Sequence, residues 1–215
     1  MFQKLPMRVS YSRAEYVSDA IVHVFGLVTV AAAVPVLIVL AALASGRGDA
    51  IVATSIYGAS FSAMILCSAL YNLIPHPDWE WLLKRLDHSA IYLKIAGTFT
   101  ALALLVGHHL WLIAVLWSVA TAGVTLKLCA PHGFRRIGLA LYLGMGWVGA
   151  VLGWSVFVAL PVPAAALVAA GGGLYTTGVI FYLWERLPHH MAIWHIFVLA
   201  GSLAVYAGVT VAVLS

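Results

Sequence analysis

The sequence predicts an all-α membrane protein: a bundle of seven transmembrane helices, with the N-terminus in the cytoplasm and the C-terminus outside. Three observations predict it. Of 215 residues, 64% are hydrophobic and 8% charged, with a mean hydropathy of +1.04. A soluble domain carries about 25% charged residues, so this chain cannot cover a surface that faces water. Seven apolar runs, each long enough to cross a hydrocarbon core of about 30 Å, are separated by short segments rich in Gly, Pro and His. The basic residues fall almost entirely on one side of those runs.

Residues 1–13 form a short cytoplasmic arm, basic and aromatic, without the cleavage pattern of a secretory signal. Residues 14–215 form the transmembrane domain. Span 1 runs from Ala14 to Ala44 and is longer than a bilayer requires. Its first turns lie at the interface, or Pro35 kinks it. The turn GRGD at Gly46 precedes span 2, Ala50 to Leu73, and PHPD at Pro75 precedes span 3, Leu83 to Val106. GHH at Gly107 leads into span 4, His109 to Leu128, and APHG at Ala130 into span 5, Arg136 to Leu160. LPVP at Leu160 opens span 6, Pro163 to Leu183, and LPHH at Leu187 opens span 7, Met191 to Leu214. With the N-terminus inside, Lys4, Arg8, Arg13, Lys84, Arg85, Lys127, Arg135, Arg136 and Arg186 are cytoplasmic. Arg47 alone is outside, and Lys94 lies within a helix. Trp79, Trp81, Trp111 and Trp184 sit near span ends, where interfacial aromatics belong.

Several classes lose support. The pI is near 9.2, but the basic residues stand singly or in pairs between apolar runs, so they are topology signals and imply no nucleic-acid partner. Cys67, inside a helix, and Cys129, in a loop, give no disulfide framework. No internal repeat is present, which argues against inverted-repeat transporters. Gly144, Gly146, Gly149 and Gly153, with Gly171 to Gly173, indicate close helix packing.

The polar groups inside the apolar runs are the candidate site. A charge or imidazole at such depth is costly and marks a functional position with a partner. Glu15, Asp19 and His23 are spaced by four and share one stripe of span 1. Ser68 and Asn72 lie near the cytoplasmic end of span 2, Asp87 near the start of span 3, and Met191 and His195 at the start of span 7. All therefore occupy a similar depth, where a bundle can build a site from facing side chains. His23 and His88 also read as hydrogen-bonded core groups, and Ser68 as a hydroxyl that satisfies a backbone carbonyl or meets a lipid head group. Tyr71, Trp147 and Trp194 read as packing residues, and His108 and His109 as a solvated loop.

The phrases AEYVSDAIVHVFG, SALYNLIPH, RLDHSAIYLKIAGTFT, ALYLGMGW, GGGLYTTGVIFYLWERLP and AIWHIFVLAGS occur in this order along nearly the whole chain. In them the chain resembles the hemolysin III family, the bacterial branch of the progestin and adipoQ receptor superfamily. The resemblance implies seven helices with the N-terminus inside, a bacterial inner-membrane location and a buried zinc near the cytoplasmic face. The zinc would be held by a histidine in span 2 and two in span 7, with the aspartate of span 3 on a metal-bound water. Here the ligand positions carry Asn72, Met191 and His195, Asp87 is retained, and a later histidine of the family is Val205. An amide and a thioether are poor zinc ligands beside imidazole, so no bound metal is expected unless His190 or His76 supplies a replacement.

Lys94 is a second departure, since the resemblance implies an apolar residue there. Asp87 lies seven residues earlier, on the same helical face. The expectation is that Lys94 leans toward Asp87 and replaces part of the zinc charge, or else snorkels into packed carbonyls; a Schiff-base lysine is a remoter option. Two functions remain. One is a non-enzymatic membrane protein of membrane and lipid homeostasis, which senses the bilayer or binds a membrane lipid or fatty acyl ligand in the bundle. The other is a zinc-dependent intramembrane lipid amide or ester hydrolase; without zinc, Asp87 and His195 would have to activate water with Lys94 as electrophile. The family name also implies a pore-forming cytolysin, for which no helix carries a polar stripe through its full length.

Overall fold

The computed structural model describes residues 12–74, 78–107, 109–129 and 135–215. Most of the arm at 1–13, His76 and His108 lie outside these residues. Among the described residues the secondary structure is helical throughout, with no strand.

Helix α1 (Arg13–Leu40) starts at a reciprocal cap: Ser12 Oγ accepts from the Glu15 amide, and the Glu15 carboxylate accepts from the Ser12 amide at 2.8 Å. Such a cap satisfies two of the orphan amides of a helix start. Pro35 sits inside α1 without ending it. The chain continues as one widened π turn, Ala41–Ser45, and stops at Gly46, whose φ of 61° suits a residue without Cβ. Helix α2 (Gly48–Leu73) opens with a forked ion pair from Arg47 to Asp49, at 2.7 and 3.1 Å. Helices α3 (Glu80–Val106) and α4 (Leu110–Cys129) follow, so the backbone at Cys129 is helical and not a loop.

The run read as span 5 is two helices, α5 (Arg135–Leu152) and α6 (Trp154–Ala159), broken at Gly153. Gly153 still donates to the Gly149 carbonyl at 2.8 Å, but its ψ of 20° leaves the helical range. Helix α7 (Val162–Leu183) and helix α8 (His190–Leu214) complete the chain.

Six helices are long and apolar enough to cross a membrane: α1 with its π turn, α2, α3, α4, α7 and α8. Residues Gly138–Leu152 of α5 form a shorter apolar helix. The outward faces of α1, α5 and α6 expose Ile21, Val28, Val151, Trp154 and Val158, which suits lipid and not water. Trp79, Trp81, Trp111 and Trp184 are all exposed, as interfacial anchors are. Helix α3 is the most deeply surrounded, touching α2, α4, α5, α6 and α8, while α1 packs on α2 and α8 and α7 packs along α8.

The glycines divide into two sets. Gly149, Gly153 and Gly171 are pressed against neighbouring helices, whereas a Cβ at Gly144, Gly146, Gly172 or Gly173 would meet nothing within 4 Å. Small residues therefore make helix contacts at the first three positions and leave space at the other four.

Candidate functional site

The polar cluster forms where α1 and α8 begin and α2 ends. The first turns of α1 tie these ends together. Glu15 Oε1 accepts from the His189 amide at 3.1 Å, Ser18 Oγ lies 2.7 Å from His189 Nδ1, and the Tyr16 hydroxyl donates to the Leu73 carbonyl at 3.1 Å. His189 has a left-handed backbone, φ 60°, rare outside glycine. It turns the 184–189 segment into α8 and brings His195 to α1.

One turn deeper, Asp19 Oδ1 lies 2.5 Å from His195 Nδ1, with both side chains largely buried. This is a short, charge-assisted contact. One turn further, His23 Nδ1 meets the Asp19 carbonyl oxygen at 2.8 Å. A carbonyl only accepts, so Nδ1 carries the proton and the neutral ring keeps its lone pair on Nε2. That Nε2 faces α2, 3.2 Å from Ser68 Oγ and 3.4 Å from Asn72 Nδ2. Asn72 Nδ2 also donates to the Ser68 carbonyl at 2.9 Å. The rings of His23 and His195 stand edge to face, 4.4 Å apart at 72°.

The structure thus brings Asp19, His23, Ser68, Asn72 and His195 together. Glu15 belongs to the helix cap and the α8 clasp. Met191 is half-buried one turn before His195, and His190 is buried at the first turn of α8. Asp87 is half-buried on α3, close enough to Cys67 and Tyr142 for its charge to act on both.

Lys94 does not meet Asp87. Its Nζ turns the other way, donating to Thr98 Oγ1 at 3.1 Å and lying over the rings of Tyr57 and Phe61, 4.0 and 4.8 Å from their centroids. The physical reason is the aromatic face of α2: an ammonium inside a membrane costs about 2.5–3.5 kcal/mol, and a desolvated cation–π contact returns about 2 kcal/mol or more. Lys94 also lines a chamber of about 390 Å³ bounded by α3, α5, α6, α7 and α8. Its wall is mainly apolar and aromatic, including Phe99, Trp147 and Trp194, with Thr98, Tyr142, Tyr175 and Thr176 also lining it, and Gly146 and Gly172 open the space.

The zinc that the resemblance implies can be tested against these donors. At the expected positions it does not fit: the Asn72 amide donates to a backbone carbonyl, and Met191 offers a thioether. Beside them, Asp19, His23 and His195 each offer a donor atom, all within 4.8 Å of one another. Donors that share a tetrahedral zinc are roughly 3.3 Å apart, so modest side-chain rotation closes the gap. The carboxylate and two imidazoles suit zinc chemically. The spacing of four along α1 was legible in the sequence; that this stripe faces His195 was not.

The family model of haemolysin-III related proteins matches residues 12–206. The chain belongs to this family. Hemolysin-3 of Bacillus cereus is 39% identical over 207 residues, covering 94% of this chain and 93% of the relative. The hemolysin-3 homolog of Bacillus subtilis (strain 168) is 36% identical over 197 residues, covering 89% and 91%. Membership and the six apolar spans together make it a multi-pass membrane protein, consistent with a bacterial cell membrane. Within the family, this chain is an integral helical bundle with a polar cluster at one end and an apolar chamber in its middle.

Proposed function

We propose that this protein binds a lipid or fatty acyl ligand inside the bundle and serves membrane lipid homeostasis. We further infer that α5 with α6 makes a seventh crossing, with the N-terminus cytoplasmic. The observation that carries the reading is the apolar chamber of about 390 Å³. Ligand sites occupy about 300–1,000 Å³ and are lined mainly by apolar and aromatic side chains. Among the described residues the cluster of Asp19, His23, Ser68, Asn72 and His195 lies at one end of the bundle, which favours a held ligand over a polar path through it.

Gly172→Leu tests this reading. A Cβ there meets nothing within 4 Å and Gly172 lines the chamber, so the new side chain is directed into chamber space. The variant should melt at or above the parental temperature yet lose most of its capacity for a tritiated acyl probe in detergent. Undiminished binding would show that the ligand sits elsewhere.

A second reading is favoured by the Asp19, His23 and His195 group. These residues would hold a zinc ion, which when bound lowers the pKa of a water and polarises a carbonyl, the chemistry of a lipid amide or ester hydrolase. Asp19 and His195 position one another, and His23 keeps its Nε2 lone pair toward Ser68 and Asn72. Elemental analysis after zinc loading and desalting should find about one zinc per chain, and His23→Ala and His195→Ala should each abolish it. A parent protein free of zinc after this treatment sinks the hydrolase reading.

A further inference from the structure

The chamber has a head position as well as a tail position. Lys94 is the charged group among its lining residues, and it is 3% exposed. Its hydrogen bond goes to Thr98, which also lines the chamber, and no ion pair joins it to a carboxylate among the described residues. The aromatic rings of Tyr57 and Phe61 cover one side of the ammonium. A cation at this depth calls for an anion, and the remaining wall calls for hydrocarbon.

We propose that the chamber takes an unesterified fatty acid, whose carboxylate binds Lys94 Nζ and draws the Thr98 hydroxyl hydrogen bond away from the Lys94 carbonyl oxygen, to which Thr98 Oγ1 donates at 2.8 Å, while the chain lies between α5 and α7. This rests on the reading of the chamber as an acyl site and names what selects the ligand. Three features fix the class. The volume of about 390 Å³ is near the low end for ligand sites and accommodates one chain, not the two of a membrane phospholipid. The Lys94 ammonium with the Thr98 hydroxyl beside it matches a monovalent head with two oxygens, whereas a phosphodiester would add two ester oxygens for which that pair has no further donor. The rim at Trp147, Val151 and Trp154 is exposed on the lipid-facing side, so a chain can enter from the bilayer without passing through water.

The test is a head-group comparison on the full-length protein in detergent, with palmitate, methyl palmitate and 1-hexadecanol as probes. Palmitate should bind about tenfold tighter than the alcohol or the ester, the scale of one hydrogen bond to a charged group. In Lys94→Met that preference should vanish while alcohol binding persists, and in Thr98→Val it should shrink. Melting temperature and elution profile report whether each variant is folded, and the comparison in the parent protein needs no variant at all. Equal binding of all three probes by the parent overturns the carboxylate anchor and leaves the acyl site standing. Binding of none overturns both. An adduct on Lys94 of the protein as isolated that borohydride reduction traps as a secondary amine would mark a carbonyl ligand held as an imine, and it too overturns the ion pair.

Discussion

Asp19→Ala should be among the most destabilising substitutions in the protein, lowering unfolding stability by about 3 kcal/mol. Removing one partner of a buried charged pair costs about 3–5 kcal/mol, because the other is left uncompensated. The lower end applies here, since both side chains keep some exposure, 16% at Asp19 and 10% at His195. The Asp19 carboxylate lies 2.5 Å from His195 Nδ1 and 3.7 Å from His23 Nδ1, so its loss releases contacts to two imidazoles. Asp19→Asn keeps the shape and an oxygen acceptor, and should cost less than half as much. Combining Asp19→Ala with His195→Ala should be distinctly sub-additive, because the first change has already removed the interaction. Reversible unfolding in mixed micelles, run as a double-mutant cycle, measures this. Coupling below about 0.5 kcal/mol, the usual error of additivity, would mean that Asp19 and His195 are neighbours without being energetic partners.

Much of the fold is legible because the bilayer imposes it. A helix is the economical way to bury a backbone in hydrocarbon, so the apolar runs map onto helices to within a few residues: the third reads Leu83 to Val106 and is found at Glu80–Val106. The break at Gly153 is not legible, because the hydrophobic run passes through it and Gly153 looks like the other glycines nearby. Its distinguishing feature is its backbone, whose ψ of 20° leaves the helical range while Leu112 of α4 stands 2.9 Å from its Cβ position, which the run of residues does not reveal.

The same limit applies to the site. Four-residue spacing places Asp19 and His23 on one face of α1, but spacing cannot say which helix that face meets. His195 and Asn72 sit on different helices, and only packing puts both against the stripe. Lys94 illustrates the converse. The backbone direction leans its side chain toward Asp87, yet Tyr57 and Phe61, on a helix that sequence spacing does not relate to it, draw the ammonium the other way.

Gly171→Leu should separate α7 from α8 and cost up to about 3 kcal/mol, the upper range for an overpacked core. A Cβ at Gly171 would stand 2.6 Å from Val205 Cγ2 and 2.8 Å from the Gly201 carbonyl oxygen. The valine methyl can turn aside, but the carbonyl belongs to the α8 backbone and cannot move without the helix. The same seam recurs along the pair: Gly178 faces Trp194 and Phe197, Gly201 faces the Gly171 carbonyl, and Gly208 faces that of Ala164. Gly171 and Gly178 are seven residues apart, as are Gly201 and Gly208, so each pair is two turns apart on one face. Small residues at such intervals let backbones approach where no hydrophobic force drives helices together in lipid. Val205→Ala should recover only a small part of the loss, because it clears the methyl and leaves the carbonyl contact. Gly172→Leu, one residue away and facing open space, is the internal control. The two variants add the same side chain to adjacent positions of one helix, so helix propensity cancels and what separates them is the seam at Gly171 against the chamber at Gly172. Equal melting temperatures for Gly171→Leu and Gly172→Leu would show that α7 and α8 are not held by this close approach.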